Sequence, residues 1–147
     1  MPISNDSEFK TALNGLTPFQ QRLAAARFTE SVLSLCGDPR VRSVVSAARR
    51  SDITELELAA LYKEAKAASV DSYTRCGHEC DWINQAGHFV ALAAVACVTP
   101  PEGGNVAWEA AMQARMARTC ETVAIGQGTD LREAEAQYRI LSEMPNA

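Results

Sequence analysis

The chain has 147 residues, the size of a single domain. With 47% apolar and 22% charged residues it is not a wholly disordered polymer, and a net charge of −4 argues against a general nucleic-acid binder, which carries a basic footprint. Alanine, the best helix former, fills 25 positions while aromatics make up only 6%, which favours an all-α fold.

Residues 1–16 are polar up to Gly15 and read as a flexible N-terminal arm; residues 17–144 read as a helical domain. Thr17-Pro18-Phe19-Gln20 is a capping box with proline at the first helical position, where its missing N–H costs nothing. The first helix is expected from Pro18 to about Leu35, burying Phe19, Leu23, Ala26, Phe28, Val32, Leu33 and Leu35. Gly37 is expected to end it in the left-handed conformation. Asp38-Pro39 starts a second helix to about Arg49, with Val41, Val44, Val45 and Ala48 at helical spacing. Asp52-Ile53-Thr54-Glu55 is a box-like start for a third, to about Ser72, with Leu56, Leu58, Ala59, Leu61, Tyr62, Ala65 and Ala68 inside.

Gly77 marks a break before a fourth helix, about Glu79 to Cys97. Its apolar run Phe89–Val98 is too short for a bilayer, which needs about 20 residues, so no membrane partner is expected. Pro100-Pro101-Glu102-Gly103-Gly104 is a loop, and Asn105 caps a fifth helix over Val106–Ile125 with Trp108, Ala111, Met112, Met116 and Val123 as its apolar set. Thr129 or Asp130 caps a sixth, with Leu131, Ala134, Tyr138 and Leu141 inside, and Pro145 marks the tail. No segment alternates with period two, and no two helix pairs share a repeat signature. The expectation is a compact single-domain bundle of about six helices.

Five cysteines, an odd number, with no basic-then-apolar leader at the N-terminus, point to reduced thiols in a cytoplasm. Charge is uneven: residues 1–50 carry seven basic and four acidic side chains, and residues 51–147 carry seven and fourteen. An acidic later half is a candidate docking face for a basic partner, or a solvated surface. Within it Glu57, Glu64 and Asp71 recur every seven residues and fall near one line of the third helix. Successive members are about 10 Å apart along the axis, too far to act as an acid/base pair, so they are read as a partner-binding stripe.

The alternative chemistry is a metal module. Cys76 and Cys80 at i, i+4 would share a helix face, with His88 on the same stripe, and thiolate plus imidazole suits zinc. His78 would be rotated by about 200° from Cys76 and would not join them. Buried cysteine also serves as a small hydrophobe, which leaves no metal and no cofactor required. His88, between Gly87 and an apolar run, reads as a packed histidine bonded to a carbonyl or neighbouring side chain. Gly87 would let a neighbouring helix approach closely. No GxSxG, HExxH, phosphate loop or strand-borne GxGxxG occurs; Gly126-Gln127-Gly128 reads as a loop, and no catalytic residues are expected.

Several stretches resemble one family. Arg22-Leu23-Ala24-Ala25-Ala26-Arg27, Glu30-Ser31-Val32-Leu33, Asp38-Pro39-Arg40-Val41-Arg42 and Ala47-Ala48-Arg49 are similar to the opening of the immunity-protein-five-like family. Ala86-Gly87-His88-Phe89-Val90-Ala91 resembles that family's Ala-Gly-His helix, and Glu135-Ala136-Gln137 its final helix. The resemblance spans about residues 20–142; cysteines and Thr-rich turns replace alanine in places. It implies a small cytoplasmic helical protein, not an enzyme, whose partner is a cognate bacterial toxin that it binds and neutralises.

Overall fold

The structure, a computed structural model, describes residues 3–76, 81–100, 104–126 and 131–144. Among the described residues are seven α-helices and no strand: α1 (Asp6–Asn14), α2 (Pro18–Glu30), α3 (Pro39–Ala48), α4 (Glu55–Cys76), α5 (Trp82–Cys97), α6 (Val106–Ile125) and α7 (Leu131–Glu143), with a 3-10 turn at Leu33–Leu35. The fold is all-α, with one helix more than the six expected.

That extra helix is α1, formed by residues expected to be a loose arm. Asn5 Oδ1 accepts the Glu8 N–H at 2.9 Å, and Asp6 and Glu8 place negative charge at the positive end of the helix dipole. Only Phe9 and Leu13 are large and apolar here, but at i, i+4 they share one face and both are fully buried. The Phe9 ring meets Phe28 at 5.5 Å, Tyr138 at 5.3 Å and Trp108 at 6.2 Å. Counting polar residues hides such a pair.

Other helix starts follow local chemistry. Thr17 and Gln20 form the reciprocal capping box, and Asp38 and Asn105 cap α3 and α6. The box before α4 uses Thr54 and Glu57, not Asp52 and Glu55: each side chain accepts the other's backbone N–H at 3.1 Å. α2 stops at Glu30, earlier than expected, and the chain tightens into the 3-10 turn. Gly37 is not left-handed; the positive φ, 75°, belongs to Gly126, which ends α6. The breaks and caps expected at Gly77, Pro101–Gly103, Thr129, Asp130 and Pro145 lie outside the described residues.

The core is built on alanine. Ala86, Ala91, Ala93, Ala94 and Ala96 of α5 and Ala107, Ala110, Ala111, Ala114 and Ala117 of α6 are all buried, and these two helices form the most extensive pairing in the fold. Methyl-sized side chains let the backbones approach closely. α2 and α4 pack on α5, α2 also on α6, and α3 closes one side with Val41, Val44, Val45 and Ala48 inside as expected. The alanine face displaces larger residues: Met116 and Val123, expected inside, are exposed on α6. Leu56 is 82% exposed, because it lies nine positions before buried Ala65, and nine steps of 100° put it on the opposite face of α4; Ala59, also expected inside, is exposed too.

Polar clamps from α6 hold the ends. Arg115 donates to both Asp6 oxygens at 2.9 Å and to Gln137 Oε1 at 2.8 Å; Gln137, fully buried, donates to the Ala111 carbonyl at 2.9 Å. The hydrogen bond from Arg115 holds the Asp6 carboxyl below its usual range, and Tyr138 donates its hydroxyl to the same carboxylate. Arg118 joins buried Glu133 at 3.0 Å and the Ser31 carbonyl at 2.9 Å, and Ser31 donates to Glu133. α1, α2 and α7 are thereby tied to α6.

Phe9→Ala should destabilise the protein by about 3–5 kcal/mol in urea unfolding, the cost of emptying a packed aromatic site. A freely solvated arm would give a change within about 0.5 kcal/mol.

Candidate functional site

The C-terminal part of α4 and the first turns of α5 run antiparallel and bring together the residues with most functional interest. Asp81 caps α5 by accepting the Ile83 N–H at 3.0 Å, so this helix begins at Trp82, not near Glu79. His88 is half-buried, one and a half turns in. Its Nδ1 lies 2.9 Å from Ser72 Oγ, and the Ser72 hydroxyl donates to the Ser69 carbonyl at 2.8 Å. Ser72 Oγ thus lies within hydrogen-bond reach of both the ring nitrogen and the Ser69 carbonyl, and the direction of the Ser72–His88 bond follows the ring's tautomer. Tyr73 and Phe89 flank the imidazole, with centroids 5.7 and 5.9 Å away. Burial pushes the His88 pKa down.

Gly87 has the close approach expected of it, though to a different element. A Cβ there would sit 3.3 Å from the Leu35 carbonyl oxygen, at the end of the 3-10 turn, rather than against a helix. A small cleft of about 280 Å³ opens beside it, lined by Asp38, Ser72, Ile83 and Asn84 among others.

The metal alternative needs Cys76, Cys80 and His88 together. The Cys76 side chain and all of Cys80 lie outside the described residues, and His88 Nδ1 is engaged by Ser72. Among the described residues no group of three or more His, Cys, Asp or Glu side chains is arranged to hold a metal ion.

The acidic stripe lies on α4, and two of its three members have internal partners. Glu57 caps Thr54 and reaches Arg50 at 3.3 Å; hydrogen bonds from Thr54, then the charge of Arg50, hold its carboxyl below the usual range. Asp71 meets Arg40 at 2.8 Å, and Arg40 also grips Asp38 at 2.7 Å. Glu64 is half-buried between them along the helix. The basic first third of the chain thus neutralises part of the acidic remainder, with Arg40 and Arg50 facing α4.

Sequence reasoning did not single out the apolar side chains at this end. Val70 is 53% exposed, Tyr73 71%, Trp82 43% and Ile83 50%. Val70 and Tyr73 are three apart on α4; Trp82 and Ile83 open α5. The available signal was geometric: Val70 and Tyr73 fall off the stripe through Leu61, Ala65 and Ala68. With that stripe packed on α5, they are left facing outward.

Searches against protein-family profiles, curated proteins and solved structures return no match. No helix among the described residues is long and apolar enough to cross a membrane.

Two measurements test the histidine. A double-mutant cycle of His88→Ala and Ser72→Ala should give a coupling of about 0.5–1.5 kcal/mol, the worth of one hydrogen bond; zero coupling would place the ring elsewhere. Because the folded pKa is depressed, the unfolded chain binds more protons as pH drops through the ordinary histidine value of 6.5. In a His78→Gln background, stability should therefore fall as pH is lowered from 7.5 toward 5.5, and His88→Gln should flatten that slope.

Proposed function

We propose that this chain is a non-enzymatic cytoplasmic binding protein, an immunity protein that neutralises a cognate bacterial toxin. The observation that carries the reading is the exposure of Val70, Tyr73, Trp82 and Ile83 where α4 meets α5, beside Asp71 and Asp81. Burying aromatic and aliphatic side chains inside a polar rim is how protein interfaces gain affinity, and tyrosine and tryptophan are the commonest anchors. Scattered single hydrophobes need no such account, but four within fourteen residues at one helix junction form a candidate interface. The resemblance to the immunity-protein-five-like family supplies the partner class.

In this reading the apolar junction anchors the toxin and the acids of α4 steer it. Asp71 lies at the edge of the junction, and Glu64 and Glu57 continue the negative line along α4. A basic toxin surface would meet Glu64 directly and would compete with Arg40 and Arg50 for Asp71 and Glu57.

The test is co-expression with the toxin encoded by the neighbouring gene, followed by binding kinetics on the purified pair. The wild-type chain should restore growth. Tyr73→Ala and Trp82→Ala, with unchanged circular dichroism, should each weaken binding by about 2 kcal/mol or more, as anchors do, mainly through faster dissociation. Glu64→Lys, and more strongly the triple Lys variant at Glu57, Glu64 and Asp71, should slow association and flatten its salt dependence. Absence of rescue, or rates unchanged in all of these variants, would overturn the reading.

A further inference from the structure

A large cavity lies on another part of the surface. α4 packs on α5 and α3, and a cavity of about 830 Å³ opens between its first half, the start of α2 and the end of α5. Its walls are mostly apolar, with Pro18, Leu58, Tyr62, Val98 and Val106 among them, and its charged members are Arg22, Lys63 and Glu55. Small-molecule sites fall in this size range and pair apolar walls with a few placed polar groups.

Arg22 is the distinctive group. Its Nε donates to the Ala48 carbonyl at 2.9 Å and one Nη2 hydrogen to the Arg50 carbonyl at 2.8 Å, so it caps the C-terminal end of α3. Its guanidinium also lies over the Phe19 ring at 5.2 Å. Arg40, Arg49, Arg50, Arg115 and Arg118 each meet a carboxylate. Arg22, like Arg27, Arg42, Arg132 and Arg139, meets none among the described residues; what sets it apart is its place in the cavity wall with three of its five N–H groups lacking a hydrogen-bond partner there. Burial without a counter-ion lowers its pKa. A partly desolvated cation held rigid by two carbonyls and an aromatic face is pre-organised for an anion, and a planar guanidinium matches a carboxylate. Lys63, from the α4 side of the cavity, adds a second positive charge, and exposed Glu55 offsets one of the two.

We propose that this cavity binds a small amphipathic carboxylate, with its headgroup on Arg22 and Lys63 and its hydrocarbon chain along Leu58, Tyr62 and Val98. The site is distinct from the α4–α5 junction, so either can fail without the other.

Isothermal titration of the purified chain with decanoate, below its micelle concentration, tests this, with decanol and decyltrimethylammonium as neutral and cationic comparisons. Decanoate should bind one to one, and about tenfold or more tighter than either comparison. Arg22→Gln should weaken decanoate by a similar factor. Because that change also removes the cap on α3, Ala59→Trp serves as a second variant: it fills the cavity from an exposed helical position and should abolish binding with the fold intact. No saturable binding, equal affinity for decanol, or unaltered binding in Ala59→Trp would overturn the proposal. So would a dimer in solution that Ala59→Trp dissociates, because a second copy would then occupy the groove.

Discussion

The structure depends on the close approach of α5 and α6. Ten buried alanines lie on the two helices; Ala91, Ala94, Ala110, Ala114 and Ala117 share one core cluster with Val90 and Cys97, and a larger side chain in place of these alanines would push the helices apart. Each contact buries little area, so stability comes from many small contacts at high packing density rather than from a few large side chains. Four aromatics gather in a second cluster, where Phe9, Phe28, Trp108 and Tyr138 join α1, α2, α6 and α7.

A thin alanine interface also explains where polar groups are used. Arg115 and Arg118, one turn apart on α6, extend past the alanine face and reach α1, α2 and α7 through Asp6, Gln137, Glu133 and Ser31. These long side chains fix the outer helices at distances an alanine surface cannot bridge. Removing one partner would leave a buried charge or amide unpaired, so the clamps act as units. On the opposite side, Arg40 and Arg50 do comparable work at the surface, tying the α3 region to α4 through Asp71 and Glu57.

What this packing leaves uncovered defines the two candidate surfaces. Where α4 leans on α5, Val70 and Tyr73 on α4 and Trp82 and Ile83 at the start of α5 reach solvent. At the other end, α4 and α2 stand apart over a floor from the end of α5, and Arg22 caps α3 at the rim. Both features follow from one long helix packed along a single narrow stripe of Leu61, Ala65 and Ala68, with partners on α3 and α5.

Local order was legible in the sequence because its causes are local. Thr17 with Gln20, Asp38 before Pro39, and Asn105 ahead of Val106 each satisfy backbone N–H groups within three residues, so α2, α3 and α6 begin where their residues say. The all-α class follows from alanine content and helical periodicity, and the place of His88 from the glycine before it and the apolar run after it. The charge stripe on α4 was legible as a line, but its ion pairs were not, because Arg40 comes from α3 and Arg50 from the connection that follows it, and the chain's turn there decides what they face. Composition read α1 as an arm because Phe9 and Leu13 gain their value only against Phe28 and Trp108, far along the chain. Hydrophobicity assigned Leu56, Met116 and Val123 to the interior, and the structure turned them outward. An alanine-rich helix can offer several faces to a neighbour, and only the packing of α5 on α6 and of α4 on α5 selects which is buried.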